Sequence, residues 1–191
     1  MNNHGFVRVA AASPALKVAD CDYNTDEIIK LINKAEEDNI SAIVFPELSI
    51  TAYTCGDLFL QSLLLEEALK SLNRICDATG NLSIVALVGL PIAVSNRLYN
   101  MAVVVSGGRV MGAVPKTFLP NYNEFYEKRW FSSSEELKEK IDIQIDEKRN
   151  IFETFGNRMY GISSPNINLE NIIFEEVNNN AIKKVIAYQI A

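Results

Sequence analysis

Two charged residues share one local pattern, an apolar strand-like run closed by proline. Ser41-Ala42-Ile43-Val44-Phe45 is stopped by Pro46 and followed at once by Glu47, and Gly112-Ala113-Val114 leads into Pro115 and Lys116. Proline cannot donate to a strand ladder, so each run ends there as a strand. A carboxylate at a strand end, beside a buried sheet edge, is partly desolvated and suited to act as a general base. A lysine in the equivalent place supplies a fixed positive charge to a developing oxyanion. Each residue also has a plainer reading: Glu47 as a surface glutamate closing a turn, Lys116 as a solvated lysine after a strand. Beyond Lys116 comes the aromatic and acidic run Leu119-Pro120-Asn121-Tyr122-Asn123-Glu124-Phe125-Tyr126-Glu127, which either walls a pocket or is a loop pinned to the core by its rings.

Other chemistries find less support. The single histidine, His4, lies in a polar terminus, so Ser-His and Cys-His nucleophile pairs are nearly excluded. The three cysteines, Cys21, Cys55 and Cys76, have neither the even count of a disulfide framework nor the CxxC spacing of a zinc site. No metal site is expected, and the reduced cytoplasm is the expected compartment. Ser106-Gly107-Gly108 resembles the start of a pyrophosphate-binding loop. Such a loop should open a helix, whereas here the strand-like Arg109–Val114 run follows, so a hairpin turn is the better reading.

These residues need a scaffold, and the 191-residue chain is long enough for one domain. With 48% hydrophobic residues it can build a packed core. Its net charge of −6 gives no reason to bind nucleic acid or an anionic membrane. No apolar run approaches the ~20 residues of a membrane span, and no signal peptide is visible. The expected elements are a buried strand over 6–12 and a helix from Asn24-Thr25 with Ile28, Leu31, Ile32 and Ala35 on one face. A strand over 41–45 follows, then a long helix capped by Asp57 with Leu60, Leu63, Leu64, Leu69, Leu72, Ile75 and Cys76 as apolar positions. A strand over 83–90 precedes a hairpin of 98–105 and 109–114 turning at Gly107-Gly108. A short helix is expected from Ser132 through Lys140. The β-α-β-α-β rhythm followed by a hairpin implies an α/β fold, a mixed sheet with helices on one face. A core boundary falls near residue 160, and the Asn/Ile-rich stretch 161–191, with Asn178-Asn179-Asn180 as a loop, is expected to form no separate domain.

Three segments taken together, the opening strand, FPELSITAYTCGDLF and VPKTFLPNYNEFYEKRWF, resemble the carbon-nitrogen hydrolase (nitrilase) superfamily. More narrowly, TAYTCGDLF and LPNYNEFYEKRWF are similar to the glutaminase domains of bacterial glutamine-dependent NAD synthetases. The resemblance covers about residues 6–131 and is fainter over 132–160, where FETFGN stands near the family's Pro-Phe-Gly stretch. It implies a nitrilase-like α-β-β-α sandwich, incomplete at the C-terminus, with 1–160 as a partial glutaminase domain. It further implies a Glu-Lys-Cys triad, with Glu47 as the base, Lys116 as the oxyanion cation and Glu124 as a supporting glutamate. Tyr53, Tyr122 and Phe125 would shape the glutamine pocket. The implied partners are glutamine, other copies of the chain in a homo-oligomer, and a synthetase domain. ATP and deamido-NAD are expected only on that synthetase domain, with no cofactor in this chain.

Two departures accompany the resemblance. Ala52 stands where the family has glycine, so a positive φ there would be strained by roughly 1 kcal/mol. The family's nucleophilic cysteine has no counterpart, because Cys76 is the last cysteine in the chain. Cys55 belongs to the TCGDLF string and reads as a small packing residue. The chain is therefore expected to be the N-terminal part of a glutaminase domain, inactive alone. The alternatives are a non-catalytic binding or assembly module of the same fold, and another carbon-nitrogen amidase.

Overall fold

The computed structural model describes residues 7–137, 143–144 and 150–151. Strand β1 (Val9–Ala11) leads into helix α1 (Cys21–Glu37), and strand β2 (Ala42–Val44) precedes helix α2 (Ser62–Ala78). Strands β3 (Val85–Val94), β4 (Arg97–Ser106) and β5 (Arg109–Pro115) follow as a meander. The five form one sheet in the order β1-β2-β3-β4-β5, parallel from β1 to β3 and antiparallel from β3 to β5. A short antiparallel pair, β6 (Ile143–Gln144) with β7 (Asn150–Ile151), completes the described residues. His4, Lys140 and the stretch 161–191, including Asn178-Asn179-Asn180, lie outside them.

Two parallel crossovers stepping the same way across a sheet place their helices on the same face. Accordingly, Ile28 and Ile32 of α1 and Ala68, Leu72 and Ile75 of α2 are buried against Ile43, Ala86, Val88 and Val103 of the sheet. The alternate row, including Leu87, Ala102, Val104 and Val114, belongs to the opposite face. There Leu87 pairs with Val104 and Ala102 with Val114. That second face carries the site.

Both helices begin elsewhere than the sequence suggests. The first starts at Cys21, capped by Asp20, whose carboxylate accepts from Tyr23 N. Asn24 and Thr25, expected to open it, are fully buried instead. The Asn24 side chain bonds the backbone of Lys17 and the carbonyl of Ile50, tying helix to loop, and Thr25 Oγ1 donates back to the Cys21 carbonyl. Asp57 does not cap α2: it lies in a 3-10 turn, Gly56–Leu60, and α2 starts after Gln61. Consequently Leu60 and Leu63 are exposed, whereas Leu64, Leu72, Ile75 and Cys76 are buried.

The hairpin at Gly107-Gly108 forms as expected, with φ of 54° and 76° at the two glycines. A second hairpin turns at Ser95-Asn96, both also at positive φ. It lies beyond the strand expected over 83–90, because β3 runs on through Pro91 to Val94. By Pro91 β3 has outrun β2, and its strand partner there is β4, with Pro91 opposite Asn100, a setting in which proline is tolerated. The helix expected from Ser132 is a single 3-10 turn, Ser134–Glu136, with a capping box between Ser133 and Glu136.

Candidate active site

Glu47 and Lys116 follow β2 and β5, which are separated by β3 and β4, so they do not end neighbouring strands. The segment after β2 closes that gap. Phe45 N donates to Leu87 O and Ile50 N to Gly89 O, so the chain runs on along β3 and Pro46-Glu47-Leu48 passes directly over Gly89. A Cβ at residue 89 would lie 2.4 Å from Leu48 N, so only glycine permits this approach. The path also needs left-handed backbone at Leu48 (φ 52°) and Ala52 (φ 66°), and Ala52 thus carries the strain expected of it.

Lys116 is 8% exposed, with its amide held by the Asn100 carbonyl at 2.8 Å. Its ammonium lies between two carboxylates, 2.9 Å from Glu47 Oε1 and 3.0 Å from Glu127 Oε1. Asn100 Nδ2 donates to the same Glu47 oxygen, and Tyr53 donates its hydroxyl to Glu127 Oε1 at 2.6 Å. Burial, followed by this contact with Glu127, pushes the Tyr53 phenol well above its ordinary range. Glu127 is itself buried, and its Oε2 has no hydrogen-bond partner among the described residues. A small cavity of about 10 Å³, room for one water-sized group, is lined by Glu47, Gly89, Asn100, Ala102, Val114 and Lys116 among others.

Of the residues singled out in the sequence, the structure thus brings together Glu47, Lys116 and Tyr53. It leaves Glu124, expected as the supporting glutamate, exposed, and the second carboxylate on Lys116 is that of Glu127. The choice follows from the chain reversal: Phe125 N bonds Tyr122 O and Glu127 N bonds Pro120 O, which turns Glu127 inward and leaves Lys128 and Arg129 exposed. Tyr122 is exposed, its ring edge-on to half-buried Phe125 at 5.8 Å. Asn100 was missed, although a polar residue within the apolar run LYNMAVVV is the kind of signal that marks a buried polar contact. The thiols stand apart from this chemistry. Cys55 is buried, donates to the Thr51 carbonyl at 3.0 Å, and is shifted upward by burial, away from the thiolate form.

A model of the carbon-nitrogen hydrolase family matches residues 7–161. The chain belongs to that family. Among curated relatives, the glutamine-dependent NAD(+) synthetase of Mycobacterium leprae is 36% identical over 141 residues, 74% of this chain and 21% of the relative. The enzyme of the same name from Aquifex aeolicus is 40% identical over 119 residues, 62% of this chain and 21% of the relative. The carbon-nitrogen hydrolase chain therefore spans about a fifth of the length of the curated relatives it matches. A crystal structure of the glutamine-dependent NAD(+) synthetase from Cytophaga hutchinsonii superposes with a TM-score of 0.71 at 28% identity, covering 82% of this chain and 26% of that one. An amidase from Nesterenkonia, 19% identical, shares the fold with a TM-score of 0.58, covering 82% of this chain and 56% of its own. The fold is thus the nitrilase-like α/β type, of which the described residues supply a five-stranded sheet with its helix layer and the short β6–β7 pair. No helix among the described residues is long and apolar enough to cross a membrane.

Proposed function

We propose that this chain carries the glutamate and lysine part of a glutaminase site, of the kind that supplies ammonia within a glutamine-dependent NAD(+) synthetase. The observation that carries this reading is the Lys116 ammonium set between Glu47 and Glu127. An ammonium has three N–H donors. Two are directed at these carboxylates, and the third is available to the carbonyl oxygen of a bound carboxamide, whose charge grows as a tetrahedral intermediate forms. Glu47, less buried than Glu127, is the carboxylate placed to receive a proton from an attacking nucleophile. Tyr122 and Phe125 are assigned to the pocket on resemblance, and Glu127 replaces Glu124 as the supporting glutamate.

The nucleophile is not supplied by this sequence. All three cysteines are buried, and burial raises the Cys21 and Cys55 thiols away from the thiolate form. Without it, water would have to attack an unactivated amide, and general acid-base help is typically worth only ~10²–10⁴-fold. The chain should bind glutamine and not turn it over. Titration calorimetry with glutamine is expected to show binding that is lost in Lys116→Gln and weakened in Glu47→Gln, each checked for an unchanged circular dichroism spectrum. A continuous ammonia assay is expected to stay at background. Equal binding by the folded variants would remove Lys116 from the site. Robust ammonia release abolished by Cys55→Ser would overturn the assignment of Cys55 as a packing residue.

A further inference from the structure

Glu127 owes its position to very little local structure. It opens a 3-10 turn of three residues, Glu127–Arg129, in the long connection after β5. So short a turn has weak hydrogen-bond geometry of its own. The segment is gripped instead from the chain that follows Tyr53. Asp57 receives Arg129 in a two-pronged contact, Nε to Oδ1 at 2.7 Å and the terminal nitrogen to Oδ2 at 2.8 Å. Its Oδ1 also accepts the Trp130 indole N–H at 2.9 Å. These donors, Arg129 first, hold the Asp57 carboxyl well below the usual carboxylate range. Two residues on, Phe59 packs on Trp130 and Phe131 at ring distances of 5.9 and 5.0 Å. The two segments are thereby joined at both ends, with Tyr53 on Glu127 at one end and Asp57 on Arg129 at the other.

We propose that Asp57 is a positioning residue, which by clamping Arg129 and Trp130 holds the Glu127 carboxylate against Lys116 and Tyr53. Asp57 and Arg129 side chains are each 60% exposed. An exposed ion pair adds little to global stability even when its geometry is good. What this one supplies is registry, since Glu127 is two residues from Arg129 and adjacent in space to the lysine. The functional consequence rests on the reading of Lys116 as the site's cation; the geometric consequence does not.

Two measurements on the full chain separate these levels. The first is ligand-free. Tyrosine is labelled at Cζ with ¹³C, and the Tyr53 resonance is identified by its loss in Tyr53→Phe. In the wild type, Tyr53 is expected to stay protonated near pH ~11, where an ordinary tyrosine has ionised. In Asp57→Ala its titration should fall by about one pH unit or more, as its hydrogen bond to a charged acceptor is lost. Arg129→Gln should act in the same direction, and Asp57→Glu should restore part of the shift. Should Asp57→Ala fail to fold, Arg129→Gln carries the test. An unchanged Tyr53 titration in folded variants overturns the proposal. The second measurement is glutamine affinity. Asp57→Ala is expected to weaken it about tenfold, the scale of one hydrogen bond to a charged group. Added to Glu127→Gln it should have no further effect, because both changes act through one carboxylate. Additive losses also overturn the proposal. A wild type that binds no glutamine overturns the functional reading alone, and the Tyr53 titration still decides the role of Asp57.

Discussion

At the scale of single residues, buried Lys116 faces two carboxylates, the buried Glu127 and the half-buried Glu47. Removing one member of a buried ion cluster costs more than forming it gains, because the remaining charges lose their compensation. Lys116→Met is therefore expected to lower unfolding free energy by about 3 kcal/mol in urea denaturation. Glu124→Gln, at an exposed position, should change it by no more than about 0.5 kcal/mol. The reverse ranking would show that Glu124 is the carboxylate on Lys116. A second residue-scale effect concerns Cys21, whose thiol is pushed from its ordinary 9.0 up to about 12, first by burial and then by Cys55. The folded state prefers the protonated thiol, so its contribution is full below pH 9 and is lost as pH rises through about 12. The urea midpoint should accordingly decline as pH rises from about 9 toward about 12, and Cys21→Ala should flatten that decline.

Among the elements, the decisive one is the segment that joins β2 to α2. It must carry Glu47 across β3 and β4 toward Lys116, and it does so by lying on Gly89. Gly89→Ala would drive a methyl group into the backbone of Pro46-Glu47-Leu48, with no flexible side chain to yield. Overpacking of this kind costs about 1–3 kcal/mol. Beyond that loss of stability, the variant should lose glutamine binding even at temperatures where it remains folded. A folded Gly89→Ala protein with native affinity would show that Glu47 does not depend on this crossing. The strained backbone at Leu48 and Ala52 lies in the same segment, as expected where surrounding structure dictates an unfavourable conformation.

For the whole molecule, the described sheet has helices on one face and ends at β1, a three-residue parallel strand with Val9 41% exposed. The outer edge of such a terminal strand presents backbone N–H and C=O groups to which another chain can pair, and here that edge carries an exposed apolar residue. Self-association is therefore expected. Sedimentation velocity over a range of concentrations should show a species larger than one chain, and Val9→Lys should reduce it. A monomer at every concentration would count against this.

Much of this architecture could be read locally. The paired glycines of the β4–β5 hairpin, the prolines before Glu47 and Lys116, and the apolar faces of both helices are signals carried within a few residues, because proline and glycine restrict or release the backbone wherever they stand. Family-specific strings singled out Glu47, Lys116 and Tyr53; in the fold Lys116 contacts Glu47, and Tyr53 and Lys116 share the Glu127 carboxylate. What the sequence alone left open was every choice made by distant contacts. Asn24 and Thr25 look like a helix start and are buried because the Ile50 loop comes to meet them. Glu124 and Glu127 are equally acidic neighbours in an aromatic run, and only the Pro120 carbonyl and the Asp57 clamp decide which of them turns inward. The convergence of strand ends two strands apart depends on a loop path over Gly89. Spacing along a chain sets which residues end a strand; the packing of one segment on another sets which of those ends meet.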